Sequence, residues 1–118
     1  MEKEIDTGQI LECRRFEIAA DETLPELWEK ANEYTFRMAL EFIAGVSAYG
    51  EEFILQKKKD FSSESWFGPL RTLKEIDALQ LIDLGISEEE FHRIIRATTI
   101  NSFRPYVNLY GHKFVYEK

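Results

Sequence analysis

Thr23-Leu24-Pro25-Glu26-Leu27-Trp28-Glu29-Lys30-Ala31 opens the longest regular stretch of this chain. Thr23 and Glu26 stand at capping-box spacing: the Thr hydroxyl can accept an early backbone N–H, and the Glu carboxylate can reach back to the cap. Pro25 is tolerated because first-turn N–H groups have no helical partner. Leu24, Leu27, Trp28, Ala31, Tyr34, Thr35, Met38 and Phe42 then recur at helical spacing. This predicts a long helix ending at about residue 47. Phe36, Leu40 and Ile43 widen the apolar surface in its second half, which predicts burial on more than one side, against a sheet or another chain. Gly45 and Gly50 mark the end region.

Upstream, residues 9–18 (Gln-Ile-Leu-Glu-Cys-Arg-Arg-Phe-Glu-Ile) read as a strand, with Phe16 and Ile18 alternating with Arg15 and Glu17. Before it, Asp6-Thr7-Gly8 has turn chemistry. A turn there can hold a carboxylate at a sheet rim and let a ligand approach a glycine backbone. The plainer reading is a turn carboxylate capping local N–H groups.

Downstream, Phe53-Ile54-Leu55 suggests a short strand. Residues 61–69 read as a polar loop carrying Trp66-Phe67. Residues 73–84 predict a short helical turn with Leu73, Ile76 and Leu79–Leu81 inward. Ser87 and Glu90 form a second capping box, before a helix to about Thr98 with Phe91, Ile94 and Ile95 on one face. Residues 105–116 predict a β-hairpin turning at Tyr110-Gly111-His112, with Val107, Leu109, Phe114 and Tyr116 as packing residues. The order of strand, long helix, irregular loop, short helices and hairpin is α+β.

The chain has 118 residues, 44% of them apolar, enough for one compact domain with a core. Its formal charge of −7 disfavours non-specific nucleic-acid binding. Lys57-Lys58-Lys59 is a short basic run, expected as a solvated loop or edge strand. Cys13 is the single cysteine, so no intrachain disulfide and no cysteine-based zinc site is expected. No signal peptide and no membrane span are expected, which fits a cytoplasmic protein.

Asp6 is the leading candidate for chemistry. His92 could act as a base, but Glu88 and Glu89 one turn away favour a solvent-facing role. His112 is expected to be exposed in the hairpin turn. No metal is assigned, because neither histidine has partners at ligand spacing. Trp66 and Phe67 could stack a base or ring, or seal the core beneath a loop. Arg96, in apolar surroundings, could bind an anion, or snorkel or pair with a loop carbonyl.

Two segments together resemble the 10-formyltetrahydrofolate-dependent formyltransferases. The first is Asp6-Thr7-Gly8-Gln9-Ile10-Leu11, then Arg15-Phe16-Glu17-Ile18 and Asp21-Glu22-Thr23 before the long helix. The second is Glu90-Phe91-His92-Arg93-Ile94-Ile95-Arg96-Ala97-Thr98 and the hairpin after it. The resemblance implies a partial α/β formyltransferase domain, with residues 1–50 from the C-terminal part of the catalytic domain and 51–118 as its extension. It implies formyl transfer from 10-formyltetrahydrofolate to an amine by an Asn, a His and an Asp. Asp6 matches the Asp, and Gly8 and Thr7 are the implied cofactor-binding residues.

The family's Asn and His lie upstream of its Asp, and only five residues precede Asp6 here. The expectation is therefore a C-terminal region that is inactive alone. Methionyl-tRNA formyltransferases continue past the hairpin into a tRNA-contacting barrel, whereas this chain stops at Lys118 and is acidic. The stretch from Arg71 to Leu84 is more similar to the nucleotide-sugar N-formyltransferases. This implies a nucleotide-linked amino sugar as substrate, with Trp66 and Phe67 at its base, and a homodimer. The alternatives are a methionyl-tRNA formyltransferase fragment or a stand-alone acidic interaction module of antitoxin or immunity type.

Overall fold

The computed structural model describes residues 8–69 and 71–117. Among them are four helices, α1 (Leu24–Tyr49), α2 (Glu51–Asp60), α3 (Leu73–Gln80) and α4 (Glu88–Thr98). One antiparallel pair, β1 (Tyr106–Leu109) and β2 (His112–Val115), completes the α+β arrangement. The chain divides into two compact units. The first joins residues 8–17 to 31–69, and the second joins residues 18–30 to 71–117. Helix α1 gives its first turns to the second unit and the rest to the first.

In the first unit, α1 runs past Gly45 and stops at Gly50, whose φ of 60° lies in the left-handed region that favours glycine. Helix α2 begins directly after it. Phe53-Ile54-Leu55, expected as a strand, is helical. Glu51 and Glu52 in the first turn and Lys57–Lys59 in the last complement the helix dipole, and this outweighs a short apolar run that fits either element. Gly45 is buried because the Phe53 ring lies over it: a Cβ there would sit 2.3 Å from Phe53 Cζ. Phe42 meets Phe53 edge-on at 5.6 Å between ring centroids. The half-buried stripe of α1 in this unit is Ala31, Tyr34, Met38 and Phe42. Phe36, Leu40 and Ile43 are 68%, 53% and 61% exposed, so the face expected to be buried on a second side is uncovered by the described residues.

Residues 9–18 form no strand. A strand needs a neighbour for its backbone groups, and among the described residues none pairs with this segment. Side chains hold it instead. Gln9 Nε2 donates to the Lys58 carbonyl at 2.8 Å, and Phe16 meets Tyr34 at 4.9 Å between ring centroids. The Glu12 carboxylate, 9% exposed, lies 2.6 Å from both Arg14 Nη2 and Lys57 Nζ. Arg14 also pairs with Glu41. Lys57 is thus an anchored cation rather than part of a solvated run.

In the second unit, Thr23 and Glu26 make the expected capping box, with Thr23 N–H donating to Glu26 Oε2 at 2.8 Å and Glu26 N–H to Thr23 Oγ1 at 3.4 Å. At α4 the box is half made. Ser87 Oγ accepts the Glu90 N–H at 3.2 Å, but the Glu90 carboxylate turns to Arg93 Nε at 2.7 Å. Helix α3 has a complete box from Thr72 and Glu75. Of its expected inward residues Leu73, Ile76, Leu79 and Leu81 are exposed and Gln80 alone is buried, while Ile82, just beyond the helix, is buried too. The helix ends at Gln80, and the chain then extends so that the Ile82 N–H donates to the Tyr106 carbonyl at 2.8 Å. That bond turns Ile82 inward beside Tyr106 and Pro105, the centre of this unit's core.

The hairpin pairs Tyr106 with Val115 and Leu109 with His112. Its turn residues are Tyr110 and Gly111, at φ 50° and 82°, the two-residue geometry that matches strand twist. His112 therefore belongs to β2, not to the turn.

Candidate functional site

In the first unit, the indole N–H of Trp66 donates to the Gly8 carbonyl at 2.7 Å, across 58 residues of chain. This joins the aromatic loop to the segment expected to carry the site. Asp6 and Thr7 lie outside the described residues. The loop is also pinned at Glu64, whose two carboxylate oxygens accept from Arg15 Nη1 and Nη2 at 2.8 and 2.7 Å. Such a fork fixes orientation as well as distance. The bonds from Arg15 hold the Glu64 carboxyl below its ordinary value. Gly68, at φ 85°, turns the chain just after the aromatics. Trp66 is 59% and Phe67 93% exposed, so both rings present open faces and neither seals a core.

The ion pairs beside this loop set its electrostatics. Burial pushes the Glu12 carboxyl up, but hydrogen bonds and charge from Lys57 and Arg14 outweigh it and hold the group below its ordinary value. Glu41 is held low by its hydrogen bond from Arg14. These carboxylates are ionised and engaged, which suits them to hold the scaffold rather than to move protons.

The remaining sequence candidates are dispersed. His92 Nε2 lies 3.6 Å from Glu88 Oε1 on an exposed face of α4. Cys13 is half-buried and free. Among the described residues no group of three metal-ligating side chains converges.

Arg96 is different. It is half-buried in the last turn of α4, and among the described residues it has no ion-pair or hydrogen-bond partner. It lines a cleft of about 340 Å³ with Arg104, Thr99, Asn101, Thr23 and Tyr116. Sequence reading missed Arg104, which sits between Phe103 and Pro105 with no periodic signal around it. It also missed Thr99, whose hydroxyl is buried without a partner. An unmet buried hydroxyl costs about 1–3 kcal/mol.

No family model, curated protein or solved structure matches this chain. No helix among the described residues is long and apolar enough to cross a membrane.

Proposed function

We propose that this chain is the C-terminal region of a formyltransferase that moves a formyl group from 10-formyltetrahydrofolate to the amino group of a nucleotide-linked sugar. The reading rests on the two resembling segments. The structural observation that supports it is the Trp66–Gly8 hydrogen bond, which puts the exposed aromatic pair in the same unit as the segment following Asp6. Phe67 offers an open face for a planar ring, and Gly8 has no side chain to block an approach to the backbone.

10-Formyltetrahydrofolate supplies the electrophilic formyl carbon. The Asp6 carboxylate orients a histidine and assists proton removal from the attacking amine. The Asn and His that would stabilise the developing oxyanion are not upstream of Asp6 among these 118 residues, so this chain alone is expected to be inactive.

The test is the chain joined to an upstream half bearing that Asn and His. It is assayed with 10-formyltetrahydrofolate against UDP- and dTDP-linked amino sugars, with methionyl-tRNA as a separate acceptor. Formylation of an amino sugar, lowered about 10²- to 10⁴-fold by Asp6→Asn, is the expected outcome. Turnover by the 118-residue chain alone, or full activity in the Asp6→Asn variant, overturns it.

A second reading, an acidic interaction module, is favoured by the uncovered α1 face of Phe36, Leu40 and Ile43. It stands if the extended chain is inert on every acceptor and the 118-residue chain binds a basic protein encoded beside it.

A further inference from the structure

Seven arginines are present in a chain with 22 acidic residues. Five of them are paired with carboxylates: Arg14, Arg15, Arg37, Arg71 and Arg93. Arg96 and Arg104 are not paired among the described residues, and these two line one cleft in the second unit. Arg96 also borders a second pocket lined by Glu89 and Glu90, with which it is not paired, but no carboxylate among the described residues lines the cleft it shares with Arg104, and in so acidic a chain that is a local reversal of charge.

We infer that this cleft binds a phosphoryl group carried on a small organic body. Two guanidinium groups present planar donor sets that suit the oxygens of a doubly charged phosphate. Asn101 adds an amide to the wall, and Thr99 lines it as well, though its hydroxyl oxygen is buried away from solvent. Ile95, Ile100, Pro25 and Tyr116 give the cleft an apolar side on which the organic part rests.

The assignment does not depend on a helix terminus. The cap of α1 at Thr23 is already taken by Glu26. The C-terminal end of α4 carries only about half a negative charge, which two full positive charges outweigh. The overall charge of −7 and the small volume select a small molecule over a nucleic-acid backbone. The inference is independent of the proposed formyl transfer.

The experiment is calorimetric titration of the 118-residue chain at low salt with phenyl phosphate, inorganic phosphate and benzyl alcohol. Binding of phenyl phosphate is expected, weakened about tenfold or more by Arg96→Gln and again by Arg104→Gln. Arg71→Gln, which removes a cation paired elsewhere, should leave it unchanged. A preference for phenyl phosphate over inorganic phosphate identifies an organic phosphate as the source. Equal affinities overturn the organic part of the assignment and leave free phosphate as the ligand. The circular dichroism of each variant establishes that it is folded, and Arg96→Lys with Arg104→Lys should restore part of the affinity. Three results overturn the assignment: no binding of either phosphate, binding indifferent to both glutamine variants, or benzyl alcohol binding as tightly as phenyl phosphate.

Discussion

Each of the two units is held internally by a different kind of contact. The second is tied mainly by local and backbone bonds: capping boxes at Thr23 and Thr72, the β1–β2 ladder, and the Ile82–Tyr106 bond. The first is tied by side chains far apart in sequence, with Glu12 to Lys57 spanning 45 residues, Arg14 to Glu41 spanning 27 and Arg15 to Glu64 spanning 49. Local bonds follow from local sequence, whereas distant ion pairs depend on a fold already made. The units should therefore fail under different conditions. Trp66 lies in the first and Trp28 in the second, so Trp28→Phe and Trp66→Phe backgrounds give a fluorescence readout of each unit in turn.

The largest effect is expected at Ile82, 7% exposed at the centre of the second unit. Ile82→Ala leaves a cavity beside Tyr106 and should cost about 2–4 kcal/mol in urea unfolding followed at Trp28. A cost below about 1 kcal/mol would mean that this unit's apolar core contributes less than its backbone ladder.

Gly45 is the corresponding point of the first unit. In Gly45→Ala the new methyl would fall on the Phe53 ring, so the ring or the helix pair must shift. The expected cost is about 1–3 kcal/mol, read at Trp66. Phe53→Leu in the same chain should recover part of it. An unchanged urea midpoint would show that α1 and α2 do not pack closely here.

The same contrast explains what the sequence revealed. The capped starts of α1 and α4 and the glycine turn of the hairpin are local signals, and a short window contains all of each; the Thr72–Glu75 box of α3 is as local but went unread in the sequence. The alternation in residues 9–18 is real, but Phe16 answers to Tyr34 and Arg15 to Glu64, not to a neighbouring strand. Nothing within those ten residues reports on partners 18 to 49 positions away. The α2 helix did have a readable signature, acids at its start and lysines at its end, which the Phe-Ile-Leu run obscured. The site followed the same rule. Trp66 and Phe67 stood out as aromatics in a polar loop, but the bond from Trp66 to Gly8 is tertiary. Arg96 was conspicuous on its helix, whereas Arg104 became meaningful only beside it.

Acid separates the units next. Glu12, Glu41 and Glu64 all have lowered carboxyl values in the folded first unit. A lowered folded value contributes stability that is present above the ordinary carboxylate range, about 4.3, and is lost as pH falls through the lowered value. The carboxylates of Glu22, Glu75 and Glu90 in the second unit are also lowered, but their partners Lys30, Thr72 and Arg93 are near in sequence. Below pH of about 4 the Trp66 signal should therefore be lost before the Trp28 signal. Glu12→Gln should cost about 1–2 kcal/mol at pH 7, because Lys57 and Arg14 lose their shared partner, and it should flatten the acid dependence at Trp66. Simultaneous loss of both signals in the parent chain would remove the distinction.

The smallest effect tests the local character of the second unit. Thr72 both accepts the Glu75 N–H at 3.3 Å and presents its own N–H to Glu75 Oε2 at 2.6 Å. Thr72→Ala removes the side-chain half of that box and should cost about 0.5–1.5 kcal/mol. Ser87→Ala should cost less, because its box is already half made, with Glu90 given over to Arg93. Both effects belong at Trp28, with the Trp66 midpoint unchanged. A Trp66 shift as large as the Trp28 shift would mean that α3 capping supports the first unit as well. The contrast between local and distant bonds would then describe one cooperative structure rather than two.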